Sequence, residues 1–224
     1  MLFGTQPTEI IIREPDPYMA ELPYWGRSIV QFVGDRLFLE ADQIIHTLFG
    51  SGNRTGKRKL YELSKMDFLT RYELYCLDQE KPIIAYSLGT RGMRVTRRLA
   101  PVVSINRAQE YIVVNEFLFT HQHTLDKYKL YHEKSLLTAE FTIDNNRLAI
   151  WAPREDEHRL KSLITETSLH NALVTITPTR QSMERYAKLL VNLNLNKPLY
   201  FAYDNRLEII WQMVDGVLEQ LNED

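Results

Sequence analysis

Cysteine is nearly absent from this sequence: Cys76 stands alone among 224 residues. An internal disulfide is therefore excluded, and Cys76 reads as a small packed hydrophobe on a strand. The six histidines are scattered, and His121 and His123 flank Gln122 near the end of a helix, where an i, i+2 pair turns its rings apart. A four-ligand zinc site is not expected. No apolar run reaches the roughly 18 residues of a membrane span, so no membrane partner is expected. Residues 1–17 mix Pro, Glu, Asp and Arg where a secretory leader would be basic and then apolar, and a cytoplasmic location is the expectation. There is no glycine-rich phosphate loop, and Ser104 and Ser182 lack the surroundings of a nucleophile. The chain reads as a non-enzyme without cofactor or metal. What is present, 44% hydrophobic and 25% charged residues, suffices for a core of one or two domains.

A formal charge of -2 conceals an uneven distribution. Residues 1–50 hold 3 basic and 7 acidic side chains, residues 51–100 hold 11 and 5, and the remainder 13 and 17. A basic block inside an acidic chain points to a polyanion surface, because counterion release depends on local charge. A solvated helix face is the competing reading.

The placement of the basic residues decides between them. Trp25, Ile29, Phe32 and Val33 recur at helical spacing in residues 22–37, after prolines 15 and 17. A second helix over 40–49 buries Ile44, Ile45, Leu48 and Phe49, and the run 50–53 (GSGN) stops it. A third, over 54–66, turns Gly56, Leu60 and Leu63 inward and sets Arg54, Arg58, Tyr61 and Lys65 on another face, with Lys57 alongside. Strands over 68–77 and 83–88, joined by a turn at 78–82, and a fourth helix over 90–99 complete the order of a winged helix-turn-helix. Arg54, Thr55, Lys57, Arg58, Tyr61 and Lys65 are the candidate DNA-facing residues, Arg for guanine edges and Lys or Tyr for phosphates. Lys81 on the wing and Arg91 and Arg94 on the fourth helix are further candidates, while Arg97 and Arg98 sit where they can stabilise that helix's end.

Three stretches, HTLFG (46–50), RKLYELSKMDFL (58–69) and IAYSLGTRGMRV (84–95), resemble the replication-relaxation proteins of plasmids and other mobile elements of Gram-positive bacteria. The resemblance covers residues 25–100. It implies DNA binding in plasmid replication, maintenance or transfer, or in regulation of such genes.

From 105 onward the expected order is helix (105–121), strands (127–132, 136–143, 147–151), helix (155–167), strand (173–177), helix (179–195), strand (199–203) and a closing helix (209–221). Asp144-Asn145-Asn146 marks a hairpin turn. This αβββαβ order resembles the restriction-endonuclease-like fold. Catalysis there needs an acid on one strand and an acidic-x-Lys triplet on the next, since carboxylates hold the metal and Lys orients water. Glu140 or Asp144 could supply the first acid, but the following strand reads Ala149-Ile150-Trp151-Ala152-Pro153. The domain is expected to be a non-catalytic, degenerate version.

The expectation is thus an α+β chain with an N-terminal arm (1–21), a winged helix (22–100) and an α/β domain (105–224) for dimerisation or for partner or DNA contact. Its function would be sequence-specific double-stranded DNA binding as a transcriptional or replication regulator, working as a homodimer. The helix from Ile105 and the closing helix, with Ile209, Ile210, Trp211, Val214 and Leu218, are candidate interfaces or core. The alternatives are a metal-dependent nuclease or relaxation accessory, and a protein-protein adaptor.

Overall fold

The computed structural model describes residues 7–13, 21–50, 54–76, 80–101, 104–121, 127–132, 135–154 and 160–221. The chain is mixed α and β with two sheets, and it divides into two units, residues 4–112 and 113 onward. No helix among the described residues is long and apolar enough to cross a membrane.

In the first unit, β1 (Pro7–Arg13) precedes α1 (Gly26–Arg36), β2 (Leu39–Glu40), α2 (Ala41–Phe49), α3 (Arg54–Lys65), β3 (Leu69–Cys76), β4 (Ile83–Leu88) and α4 (Thr90–Thr96). The sheet runs β1-β3-β4-β2, antiparallel throughout. One face each of α1, α2 and α3 is apolar, and Ile29, Val33, Ile44, Leu60 and Leu63 are buried together with Phe38 and Leu74. Phe38 meets Tyr72 edge-on at 5.0 Å. At the start of α2, Glu40 accepts a hydrogen bond from the Gln43 backbone, and Gln43 Oε1 accepts from the Glu40 backbone at 3.0 Å. This reciprocal box satisfies helix-end donors that burial would otherwise strand. Gln43 Nε2 also donates to the Ile112 carbonyl of α5 (Ile105–Thr120) at 2.9 Å.

Part of the expected N-terminal arm is a strand. Ile10, Ile11 and Ile12 pair with Leu74, Glu73 and Tyr72 on the open edge of β3, and β-branched residues suit that position. The Pro15 and Pro17 approach, the turn residues 51–53 and 78–79, and 102–103 of the expected domain boundary lie outside the described residues.

In the second unit, β5 (Lys127–Leu130), β6 (Ala139–Ile143) and β7 (Asn146–Trp151) form an antiparallel meander. Then α6 (Ser162–Glu166) leads to β8 (Ala172–Thr177), and α7 (Arg180–Asn192) leads to β9 (Leu199–Tyr203), with β7, β8 and β9 parallel. Asp144 and Asn145 make the β6–β7 turn with φ of 48° and 65°, the left-handed values a two-residue hairpin requires. Thr179 caps α7 by accepting from the Ser182 backbone at 3.1 Å. Residues 155–159 of the expected sixth helix lie outside the described residues.

The expected closing helix over 209–221 is a hairpin, β10 (Trp211–Val214) and β11 (Val217–Gln220), which widens the sheet to seven strands in the order β11-β10-β9-β8-β7-β6-β5. Asp215 (φ 48°) and Gly216 (φ 83°) form its turn. Asp-Gly is a strong two-residue hairpin signal, and in mid-helix the glycine would cost about 1 kcal/mol against alanine. The apolar residues of α5 named above as a possible interface, Ile112, Val113, Phe117 and Leu118, are buried within the chain.

Candidate nucleic-acid interface

Glycine lets α3 sit close on α2. A Cβ at Gly56 would lie 3.1 Å from both Ile45 and Phe49, so the two helices approach there as they could not with a larger residue. With Gly56, Leu60, Leu63 and Ser64 buried, the opposite face of α3 is left to solvent. Arg54, Thr55, Lys57, Arg58, Tyr61 and Lys65 are all exposed on it. Tyr61 keeps 48% of its surface open, and the Lys65 ammonium stands 5.1 Å from its ring centre.

Two of these cations have local partners. Lys57 Nζ lies 3.4 Å from Asp42 of α2, and Arg58 Nε lies 3.4 Å from Glu62 one turn along. Both pairs are solvent-exposed and worth at most about 1 kcal/mol, little enough for a phosphate to displace. Lys59 is turned differently. Its ammonium stands 5.1 Å from the rings of both Trp25 and Phe49, so it serves packing within the unit.

Beside α3 a cleft of about 350 Å³ opens toward β3 and β4, lined by Asp42, Lys57, Tyr61, Arg71, Ile84 and Tyr86. Arg71 is the one basic residue at this cleft that the helix pattern does not reveal. It pairs with Glu73 at 2.5 Å, and Glu73 also accepts from the Tyr75 hydroxyl at 3.0 Å. Burial pushes the Tyr86 phenol up to about 12, against the opposing charge and hydrogen bond of Arg71, so Tyr86 stays a neutral wall of the cleft. The signal for Arg71 is strand alternation, which puts it on the face of Glu73 and opposite Tyr86.

The start of α4 is built by close approach. A Cβ at Gly89 would meet the Asp67 carbonyl oxygen at 2.4 Å, and one at Gly92 would meet that of Phe68 at 2.1 Å. The Asp67 side chain accepts from the Thr90 backbone at 3.1 Å, and its carbonyl from that of Arg91 at 3.0 Å. Arg91 lies over the Phe68 ring at 5.5 Å, and Arg94 is exposed. α4 ends at Thr96, short of the expected 99, because Arg97 turns left-handed at φ 57°. Arg98 forms an ion pair with Asp35 of α1, a role in joining helices. Lys81 is exposed just before β4.

In the second unit, Glu140 of β6 is the centre of a polar cluster. Its Oε2 accepts from the Tyr131 hydroxyl at 2.6 Å, from Arg147 Nη2 at 2.7 Å and from His170 Nε2 at 2.9 Å. Burial alone would raise this carboxyl, but the three hydrogen bonds and the Arg147 charge outweigh it and hold it at about 2. Burial and the adjoining carboxylate push the Tyr131 phenol up to about 12. Opposite Glu140 on β7 stands Ala149, and Trp151 follows two positions on. Asp144 makes the hairpin turn. No group of three or more His, Cys, Asp or Glu that could hold a metal ion occurs among the described residues. His121 Nε2 meets the Leu207 carbonyl at 2.8 Å. His123 and His158 lie outside the described residues, and His132 lies just after β5.

No protein-family model matches the chain, and no curated protein matches it in sequence. Among solved structures it is similar to the crystal structure of protein VC1899 from Vibrio cholerae, with 12% identity and a TM-score of 0.30. The match covers 89% of this chain and 56% of that one, a likeness too low to argue from.

Proposed function

We propose that the chain is a sequence-specific double-stranded DNA-binding protein, a transcriptional or replication regulator of a bacterial mobile element, in keeping with its resemblance to the replication-relaxation family. The observation that carries this reading is the exposed face of α3, where Arg54, Lys57, Arg58, Tyr61 and Lys65 stand opposite the buried Leu60 and Leu63. Its surroundings support it. Helix, strand, helix, helix and hairpin follow one another, with β2 beside β4 and β4 beside β3, which is the order of a winged helix-turn-helix. In this reading α3 enters the major groove, the β3–β4 hairpin with Lys81 is the wing, and Arg91 and Arg94 reach phosphates.

The second unit then reads as a restriction-endonuclease-like scaffold that binds without cleaving. Its αβββαβ order fits that fold, Ala149 and Trp151 stand where the acidic-x-Lys triplet would, and Glu140 is engaged by three donors. A homodimer would double the half-sites read, and exposed apolar residues such as Leu99, Leu169 and Val217 are the surfaces open to it.

The test is selection of fragments from sheared host and element DNA by the purified protein at near-physiological salt, beside an Arg54→Ala/Arg58→Ala variant. Enrichment of a few sites, lost in the variant, is expected. Absence of enrichment by folded protein would turn the reading to a protein-protein adaptor, and magnesium-dependent cleavage of the same fragments to a nuclease.

A further inference from the structure

The seven-stranded sheet is covered unequally on its two faces. On one, Met183, Tyr186 and Leu190 of α7 pack with Ala149, Trp151 and Phe201 in a continuous core. Their strand neighbours point the other way. Register aligns Phe141, Leu148 and Ala172 in one row across that second face, and Ile150, Val174 and Tyr200 in the next. A concavity of about 440 Å³ lies over these rows, with Phe117 of α5, Ile210 and Leu221 also bounding it.

We infer that this concavity binds a small apolar amine. Its volume falls in the range of about 300–1,000 Å³ that small-molecule sites occupy, and its lining is largely apolar, as such sites are. Charge chooses the head group. Asp144 is the one charged residue in the lining, beside Asn146 and Asn171, and the lining holds no Lys, Arg or His. A carboxylate at the mouth of an apolar cavity attracts an ammonium more strongly than it would in open water, and it repels an anion. Asp144 is held there by the tight β6–β7 turn, so its backbone cannot swing away. The aromatic rings of Phe117, Phe141 and Tyr200 suit a flat apolar body. The site lies wholly within the second unit and is independent of the DNA-binding reading.

Three probes that differ only in head group test it on the full chain: 2-(1-naphthyl)ethylamine, 1-ethylnaphthalene and 1-naphthylacetate, titrated by calorimetry and by their own fluorescence. The amine is expected to bind saturably at one site per chain, at least tenfold tighter than the acetate. Asp144→Asn should bring the amine close to the neutral probe while leaving the neutral probe unchanged. Val174→Trp, which fills the floor, should abolish binding of both, and Ala172→Leu serves in its place if the tryptophan variant loses the native thermal transition. Acetate binding as tight as the amine, no saturable binding, or full affinity in a folded floor variant would overturn the inference. So would amine binding that disappears as the protein self-associates, since the concavity would then belong to a second copy.

Discussion

Single residues in this chain take their behaviour from neighbours that are distant in sequence. Arg154 and Asp204 are 50 positions apart, yet Nη2 of the first lies 3.1 Å from Oδ1 of the second, and both side chains are almost wholly buried. Burial raises the Asp204 carboxyl in spite of the arginine, so the pair is a costly one that holds the ends of β7 and β9 in place. Glu140 is the opposite case, because its three donors outweigh burial. A carboxyl held near 2 in the folded chain against an ordinary 4.5 is protonated more readily when unfolded. Its contribution to stability is therefore complete above about pH 4.5 and is lost as pH falls toward 2. Glu140→Gln should lower the urea midpoint at pH 7, and the gap to the wild-type chain should narrow steadily below pH 4.5. A gap that stays constant down to pH 3 would show that the carboxylate charge is not what the cluster uses.

At the scale of elements, close backbone approach explains the TRG motif at the start of α4. A methyl group at Gly92 would sit 2.1 Å from the Phe68 carbonyl oxygen, so α4 or β3 has to move to admit it. Gly92→Ala should destabilise the chain by about 1–3 kcal/mol. Val95→Ala, at a position 54% exposed on the same helix, should change stability by less than about 0.5 kcal/mol. Equal urea midpoints for the two variants would contradict the packing account. These elements differ in how far the sequence betrays them. α1, α2 and α3 are legible because each repeats its apolar residues at helical spacing and is punctuated by glycine or polar residues. β1 is not, because an edge strand next to prolines takes its structure from a partner some sixty residues away. The β10–β11 hairpin was legible but outweighed: Ile210, Trp211, Val214 and Leu218 fit a helical stripe, while Asp215-Gly216 carried the stronger local preference. Of the candidate interface, the face of α3 follows from spacing alone. Arg71, the pairing of Lys57 with Asp42 and the diversion of Lys59 onto two aromatic rings depend on tertiary packing that no local window contains.

For the molecule as a whole, the net charge of -2 is a poor guide to how it would meet DNA, because residues 51–100 carry 11 basic side chains against 5 acidic ones. Binding driven by this block should weaken linearly in logarithmic terms as salt rises, each phosphate contact contributing a slope of about -0.9. The two best-placed cations then separate by what they touch. Arg58→Ala, if the guanidinium reads a base, should cost about 1–3 kcal/mol on the selected site and little on random duplex. Lys57→Ala, as loss of a phosphate contact, should weaken both duplexes alike and reduce the slope by about one. Asp42 sharpens the distinction, because its carboxylate lies 3.4 Å from Lys57 and competes with the phosphate for the same ammonium. Asp42→Asn should therefore tighten binding to both duplexes, within about fivefold, since an exposed pair is worth at most about 1 kcal/mol. Fluorescence anisotropy of both duplexes from about 50 to 200 mM salt reads all three variants together. If Asp42→Asn left both affinities unchanged while Lys57→Ala lowered them, the ion pair would not be competing with DNA, and Lys57 would have to reach its phosphate without leaving Asp42.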